Sequence, residues 1–235
     1  MKSLHCLPIQ AKSMQELETR LANEAPLADV VEIWLDSIKD LRLAEIFFEK
    51  EPVRKPFLFV NKAPCEGGDF LGTVEDQVEL LIEALKRGAE YIDVALGTKN
   101  SALKKLVIAK EKTRGKIIIS YHNFKETPSL SHLKSLVKRA LKKNADIVKI
   151  ATFVGNRNDN LTLLSLTGWA RENDFEIIVV GMGEEGKLSR IICPLFGSYM
   201  YYAPLSVGSE TAAGQIPLEK LRQIWEQIEE TRHCV

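Results

Sequence analysis

Lys149 sits in the run Ala145-Asp146-Ile147-Val148-Lys149-Ile150-Ala151, where β-branched residues on both sides describe a strand buried on both faces and leave an ammonium little water. Desolvation disfavours the charged form of a lysine, so a lowered pKa is expected here, and the neutral amine is the form that attacks a carbonyl to make a Schiff base. A strand-end lysine can instead snorkel its head to the rim. The preceding apolar run weighs against that, because it ends in Ser120-Tyr121-His122-Asn123. Neighbouring strands lie about 4.8 Å apart, so the imidazole of His122 and the amine of Lys149 can converge on one small substrate. An iminium acidifies the proton on the adjacent carbon; an imidazole in reach removes it and can hand it to a departing hydroxyl. Glu66, in Glu66-Gly67-Gly68, either holds the other ring nitrogen, as a carboxylate does in hydrolase triads, or is a solvated loop acid. Arg190 offers a planar fork that matches a carboxylate, unless it is surface charge where a helix opens. This chemistry requires neither a metal nor an organic cofactor.

Such groups need a scaffold, and short apolar runs alternate with longer amphipathic ones along the chain. Strands are expected at 6–9, 30–36, 57–61, 91–96, 116–122, 146–152, 176–181 and 201–205. Helices are expected at 13–23, 74–87, 101–112, 129–143 and 161–173, with a last one over 217–231. Eight strands each followed by a helix predict an α/β protein, a single-domain (β/α)8 barrel over residues 1–235, whose working groups lie at the C-terminal ends of the strands. A doubly wound open sheet is the alternative, but no GxGxxG follows any strand and no phosphate-binding P-loop is present. On the second strand Glu32, Trp34 and Asp36 share one face and Val31, Ile33 and Leu35 the other, so two carboxylates are expected to point inward.

The 235 residues are 45% hydrophobic, enough for one large core. The 32 basic and 32 acidic side chains are interspersed, which leaves no basic stripe for nucleic acid or an anionic membrane. No apolar stretch reaches the roughly 18 residues of a membrane span, and the segment after Met1 has no signal-like core, so a cytoplasmic protein acting on a small molecule is expected. Cys6, Cys65, Cys193 and Cys234 have neither zinc-site nor disulfide spacing.

The motifs also occur in a specific order. Glu66-Gly67-Gly68 is followed by Ser120-Tyr121-His122-Asn123-Phe124-Lys125-Glu126-Thr127-Pro128 and Asp146-Ile147-Val148-Lys149-Ile150-Ala151. Then come Gly181-Met182-Gly183, Ser189-Arg190, Phe196-Gly197-Ser198 and Ala213-Gly214-Gln215. Over essentially its whole length the chain resembles the type I 3-dehydroquinate dehydratases. The resemblance implies a cofactor-free lyase of the shikimate pathway that dehydrates 3-dehydroquinate to 3-dehydroshikimate through a Schiff base, and it suggests a homodimer. It implies Lys149 as the imine-forming lysine, His122 as acid and base, and Glu66 as the group that orients His122. Glu32 would then help bind the ring hydroxyls, and Arg190 and Gln215 would hold the substrate carboxylate.

The departures from the family pattern cluster on one side of the site. The usual Glu-x-Arg-x-Asp reads Glu32-Ile33-Trp34-Leu35-Asp36; Lys62 replaces a common arginine, Ala95 stands where the fourth strand usually carries an acid, and Thr211 replaces a common serine. Thr211 preserves a hydroxyl, while Lys62 keeps a charge but not the fork. Lys62 is then left as the cation for Glu32 and Asp36, and substrate affinity on the hydroxyl side is expected to change. Loss of an arginine at 34 and of an acid at 95 reads as one coupled change, since a buried charge without its partner is costly. A class I aldolase-type barrel and a non-catalytic metabolite-binding relative remain as other readings. The histidine motif with Glu66 favours dehydration over carbon–carbon cleavage, and retention of Lys149, His122, Glu66, Arg190 and Gln215 argues for turnover.

Overall fold

Each apolar run becomes a strand in the computed structural model, which describes residues 3–48 and 55–230. The strands are β1 (Leu4–Ile9), β2 (Val30–Trp34), β3 (Phe57–Val60), β4 (Tyr91–Ala95), β5 (Lys116–Asn123), β6 (Ile147–Phe153), β7 (Glu176–Met182) and β8 (Met200–Tyr202). The helices are α1 (Met14–Glu24), α2 (Leu43–Phe48), α3 (Val74–Lys86), α4 (Asn100–Lys110), α5 (Leu130–Lys142), α6 (Arg157–Glu172), α7 (Lys187–Leu195) and α8 (Leu218–Glu230). All ladders are parallel, in the order β7-β6-β5-β4-β3-β2-β1-β8. The sheet curls into a nearly closed (β/α)8 barrel, with a seam between β7 and β8. At its N-terminal end one backbone bond, Tyr199 N to Ile177 O at 2.7 Å, crosses that seam.

Strand alternation sorts the side chains into two cores. Val148 and Ile150 face outward into the larger one, where α5 lays down Leu133, Leu136, Val137 and Ala140, spaced three and four apart on one helix face. Fully burying such a side chain is worth about 1.5–3 kcal/mol, so this layer supplies most of the drive to fold. Ile147, Ile118, Leu58 and Val30 face inward and fill the barrel floor.

Caps set the helix starts. Ser13 and Ser129 accept backbone N–H groups at the starts of α1 and α5, and Thr73 with Asp76 and Asn156 with Asp159 form capping boxes. The second box starts α6 at Arg157, four residues ahead of the expected Leu161. At β2 the expected strand to Asp36 stops at Trp34. The chain turns into a single 3-10 turn over Leu35–Ser37, held by Ser37 Oγ donating to Trp34 O at 2.8 Å. Strand β8 ends at Tyr202, short of the expected Leu205, and Pro204 has no N–H with which to extend a ladder. The expected helix end at Thr231, and Cys234, fall outside the described residues. Cys6 and Cys193 are buried and Cys65 is exposed. Among the described residues no helix is long and apolar enough to cross a membrane.

Candidate active site

Lys149 lies 7% exposed in the barrel interior. Its Nζ is 3.4 Å from Glu32 Oε1, 3.4 Å from Asp93 Oδ2 and 4.3 Å from the centroid of the Tyr202 ring. These four residues come from β2, β4, β6 and β8, so they form one interior layer drawn from alternate strands, as barrels of this kind pack. Charges replace the usual branched side chains in it. Burial alone would lower the Lys149 pKa, but Tyr202, Glu32 and Asp93 more than offset this and hold it well above the ordinary lysine value. The expectation of a lowered pKa is therefore corrected: at neutral pH the group rests as a caged ammonium. The cause lies in partners across the barrel, which local sequence does not display.

Asp93 is shared between two lysines. Its Oδ1 accepts from Lys62 Nζ at 2.6 Å and from Ser120 Oγ at 2.6 Å, leaving Oδ2 to Lys149. Burial would raise its pKa, but Lys62 and Lys149 hold the carboxyl well below the usual carboxylate range. Lys62 also donates to Ser120 Oγ at 3.0 Å and lies 3.6 Å from Glu66 Oε1. It is thus committed to Asp93, and it serves neither Glu32 nor the side chain of Asp36 as the sequence suggested. Asp36, beyond the end of β2, points away from the barrel interior and accepts the backbone N–H groups of Lys62 and Asp69, each at 2.9 Å. That correction follows from the 3-10 turn, which ends the strand alternation. What Asp36 does instead is pin the loop that carries Glu66. In that loop Gly67 has φ +87°, and a Cβ on Gly68 would collide with the carbonyl of Lys62, so both glycines are required by the turn.

Ser120 pairs in register with Lys149, and His122 lies two residues further on the same face of β5. The imidazole stacks on Phe124 with ring centroids 6.0 Å apart. Its Nδ1 is 3.9 Å from Glu66 Oε1, outside hydrogen-bond range, and has no other partner among the described residues. Burial, with Lys62 and then Lys149 nearby, pushes the His122 pKa down to about 3, so the ring is a neutral base at working pH. Trp34, where the family pattern has an arginine, presents a neutral donor, Nε1 giving its hydrogen to Glu32 Oε2 at 2.9 Å.

The opposite wall is built from α7 and the segment after β8. Arg190 faces inward from the fourth position of α7, 6% exposed, so surface charge is not its role. Its Nη2 donates to Ala213 O at 3.3 Å, Nε has no partner among the described residues, and burial lowers its pKa to about 10, still a cation at neutral pH. Gln215 Oε1 accepts from Thr211 N at 2.8 Å, and its Nε2 donates to Thr211 Oγ1 at 3.2 Å. Between the walls lies a cavity of about 240 Å³, lined by Glu32, Trp34, Glu66, His122, Lys149, Arg190, Thr211 and Gln215 among others. It is smaller than the roughly 300–1,000 Å³ of drug-sized sites and suits one small ring compound. Of the residues expected from sequence, Lys62 and Asp36 are absent from this lining, Lys62 because it sits beneath, on Asp93, and Asp36 because it holds the loop backbone. Sequence reasoning missed Asp93 and Tyr202. An acid within Tyr91-Ile92-Asp93-Val94 carries the same signal as Lys149 does in its own run.

A barrel of eight parallel strands whose charged cavity opens at their C-terminal ends defines a (β/α)8 enzyme acting on a small molecule. The chain belongs to the type I 3-dehydroquinase family, whose model matches residues 5–232. A 3-dehydroquinate dehydratase of Dehalococcoides mccartyi is 36% identical over 181 residues, covering 77% of this chain and 79% of the relative. One from Methanococcus maripaludis is 33% identical over 228 residues, 95% and 99% of the two chains. The type I 3-dehydroquinate dehydratase of Clostridium difficile, solved with covalently modified comenic acid, superposes with a TM-score of 0.86 at 26% identity, over 98% of this chain and 93% of that one. The activity is the dehydration of 3-dehydroquinate in the shikimate pathway, and carbon–carbon cleavage is set aside.

Proposed function

We propose that Lys149 forms the Schiff base and that His122 moves the protons. The observation that carries this reading is the position of Lys149 Nζ, 3.4 Å from each of two carboxylates at the base of a cavity whose far wall presents Arg190. The ammonium first sheds a proton, for which Glu32 Oε1 is in reach. The amine adds to the ketone carbon and water leaves, giving an iminium. Neutral His122 takes the proton from the adjacent carbon, the electron pair flows into the iminium to give an enamine, and the β-hydroxyl departs as water with the proton from His122. Hydrolysis then returns the amine. Glu66 orients the ring, and the 3.9 Å separation of the pair leaves room for the closer approach that such pairs make once substrate binds. Glu32 attends the ring hydroxyls, and Arg190, Thr211 and Gln215 take the carboxylate. The covalently modified ligand of the Clostridium difficile relative supports a nucleophile in the shared fold. Family resemblance supports a homodimer of single-domain chains, and balanced charge supports a cytoplasmic enzyme without nucleic-acid or membrane partners.

Borohydride reduction in the presence of 3-dehydroquinate tests the reading. Peptide mass mapping is expected to find one substrate-derived adduct, on Lys149. An adduct on Lys62 or Lys143, or none in folded protein, would overturn it. On the anchoring side, Arg190→Ala is expected to raise KM about 10- to 100-fold, the worth of a charge-assisted hydrogen bond, and to do so by more than Lys62→Ala. Lys62 gives two hydrogens to Asp93 and Ser120, turns toward Glu66, and lies off the cavity lining, away from the carboxylate anchor. Steady-state kinetics of the two variants compare them directly.

A further inference from the structure

Glu32 is the hinge of the charged layer, and its two oxygens are divided. Oε2 accepts the indole N–H of Trp34 at 2.9 Å, and Oε1 faces Lys149 at 3.4 Å. Among the described residues no other side chain donates to Oε2. Residues 32 and 34 lie on the same face of β2, so the indole reaches the carboxylate without crossing a loop, and its ring lines the cavity. The terminal torsion of a glutamate is soft, so an unheld carboxylate would swing. We propose that Trp34 is a positioning residue for the Schiff-base step: its indole N–H fixes one oxygen of Glu32 and thereby turns the other to Lys149. The inference rests on the reading of Lys149 as the nucleophile.

Lys149 carries one positive charge as ammonium and one as iminium, and a carboxylate aimed at its nitrogen stabilises both. The other groups facing the pair are Asp93, Tyr202 and Cys6, with His122 and Lys62 close by. None of these restrains the rotation of Glu32. A phenyl ring at position 34 would keep the wall and lose the hydrogen. Glu32 would then spend part of its time turned from Lys149, the ammonium would titrate at lower pH, and the iminium would lose part of its support.

Trp34→Phe and Trp34→Gln separate the N–H from the ring. The midpoint of the Lys149 ammonium, followed by NMR of protein labelled with 13C-lysine, is expected to fall by about one pH unit in the Phe variant and to stay at the wild-type position in the Gln variant, whose amide can donate. The Phe variant should also lose about tenfold in kcat, the rate equivalent of one pH unit, with a smaller change in KM. An unmoved midpoint in Trp34→Phe, or equal falls in both variants, overturns the proposal and assigns the ring a purely structural role. Trapping on wild-type protein keeps the two ideas apart. An adduct on Lys149 with an unmoved midpoint removes only the role of Trp34, whereas absence of the adduct removes the nucleophile and the inference with it.

Discussion

Lys149→Ala is expected to lose essentially all dehydration of 3-dehydroquinate while the barrel still folds. Without the amine there is no iminium, and nothing else near His122 acidifies the proton to be removed. Loss of a catalytic nucleophile costs about 10⁶-fold in a well-studied hydrolase, and a comparable fall is expected here. The fold survives because Asp93 keeps Lys62 and Ser120, and Glu32 keeps the Trp34 N–H. Stability drops nonetheless, since Glu32 loses the one cation that pairs with it among the described residues; breaking such a buried pair costs about 3–5 kcal/mol, or roughly 10 °C in Tm for a chain of this size. A thermal melt and a turnover assay on one preparation separate the two effects. More than a trace of turnover in the folded variant would take Lys149 out of the mechanism.

The second large effect belongs to His122→Ala, which should slow turnover by about 10²- to 10⁴-fold, the usual worth of a positioned acid and base. The iminium should still form, so borohydride would continue to trap substrate on Lys149 while product formation stalls. Near-normal turnover would shift the role to another base such as Glu66. The same variant carries a stability signature. The imidazole has a pKa of about 3 in the folded chain and about 6.5 when unfolded, so between those values the unfolded state binds a proton that the folded state refuses. Stability therefore falls as the pH drops from 6.5 toward 3, by about 1.4 kcal/mol per pH unit from this group, and His122→Ala should flatten that slope in urea titrations at several pH values.

The scaffold was readable wherever one local signal decided the outcome. Strands β5 and β6 announce themselves because both faces are buried and β-branched residues run almost unbroken, and that same run exposes Lys149 as an anomaly. The end of β2 was not readable, because a hydroxyl of Ser37 folding back on Trp34 O decides it and the apolar pattern continues past it. Helix α2 is only six residues long and offers too little periodicity to register. In the site, identity was legible and ionisation was not. Lys149 and Glu32 are 117 residues apart in the chain, and the pairing that reverses the direction of the lysine pKa exists only once the barrel brings β2 opposite β6. The choice of Lys62 as a substrate ligand had the same origin: its partner Asp93 stands 31 residues on, in a strand read for its apolar residues alone.

The seam between β7 and β8 divides the cavity into unequal halves. The wall bearing Lys149 and His122 hangs on long ladders joining β5 to β6 and β6 to β7, whereas β8 contributes three residues to a ladder on one side only. Opening free energies track how much ladder and packing must be undone, so the stretch from Ala203 to Gln215 belongs to a weaker cooperative unit than the lysine does. Ala213 O is therefore expected to part from Arg190 and re-form at lower cost than any opening around the caged ammonium. With Arg190 as the proposed carboxylate anchor, this flank is the one expected to open for product release while the other stays assembled.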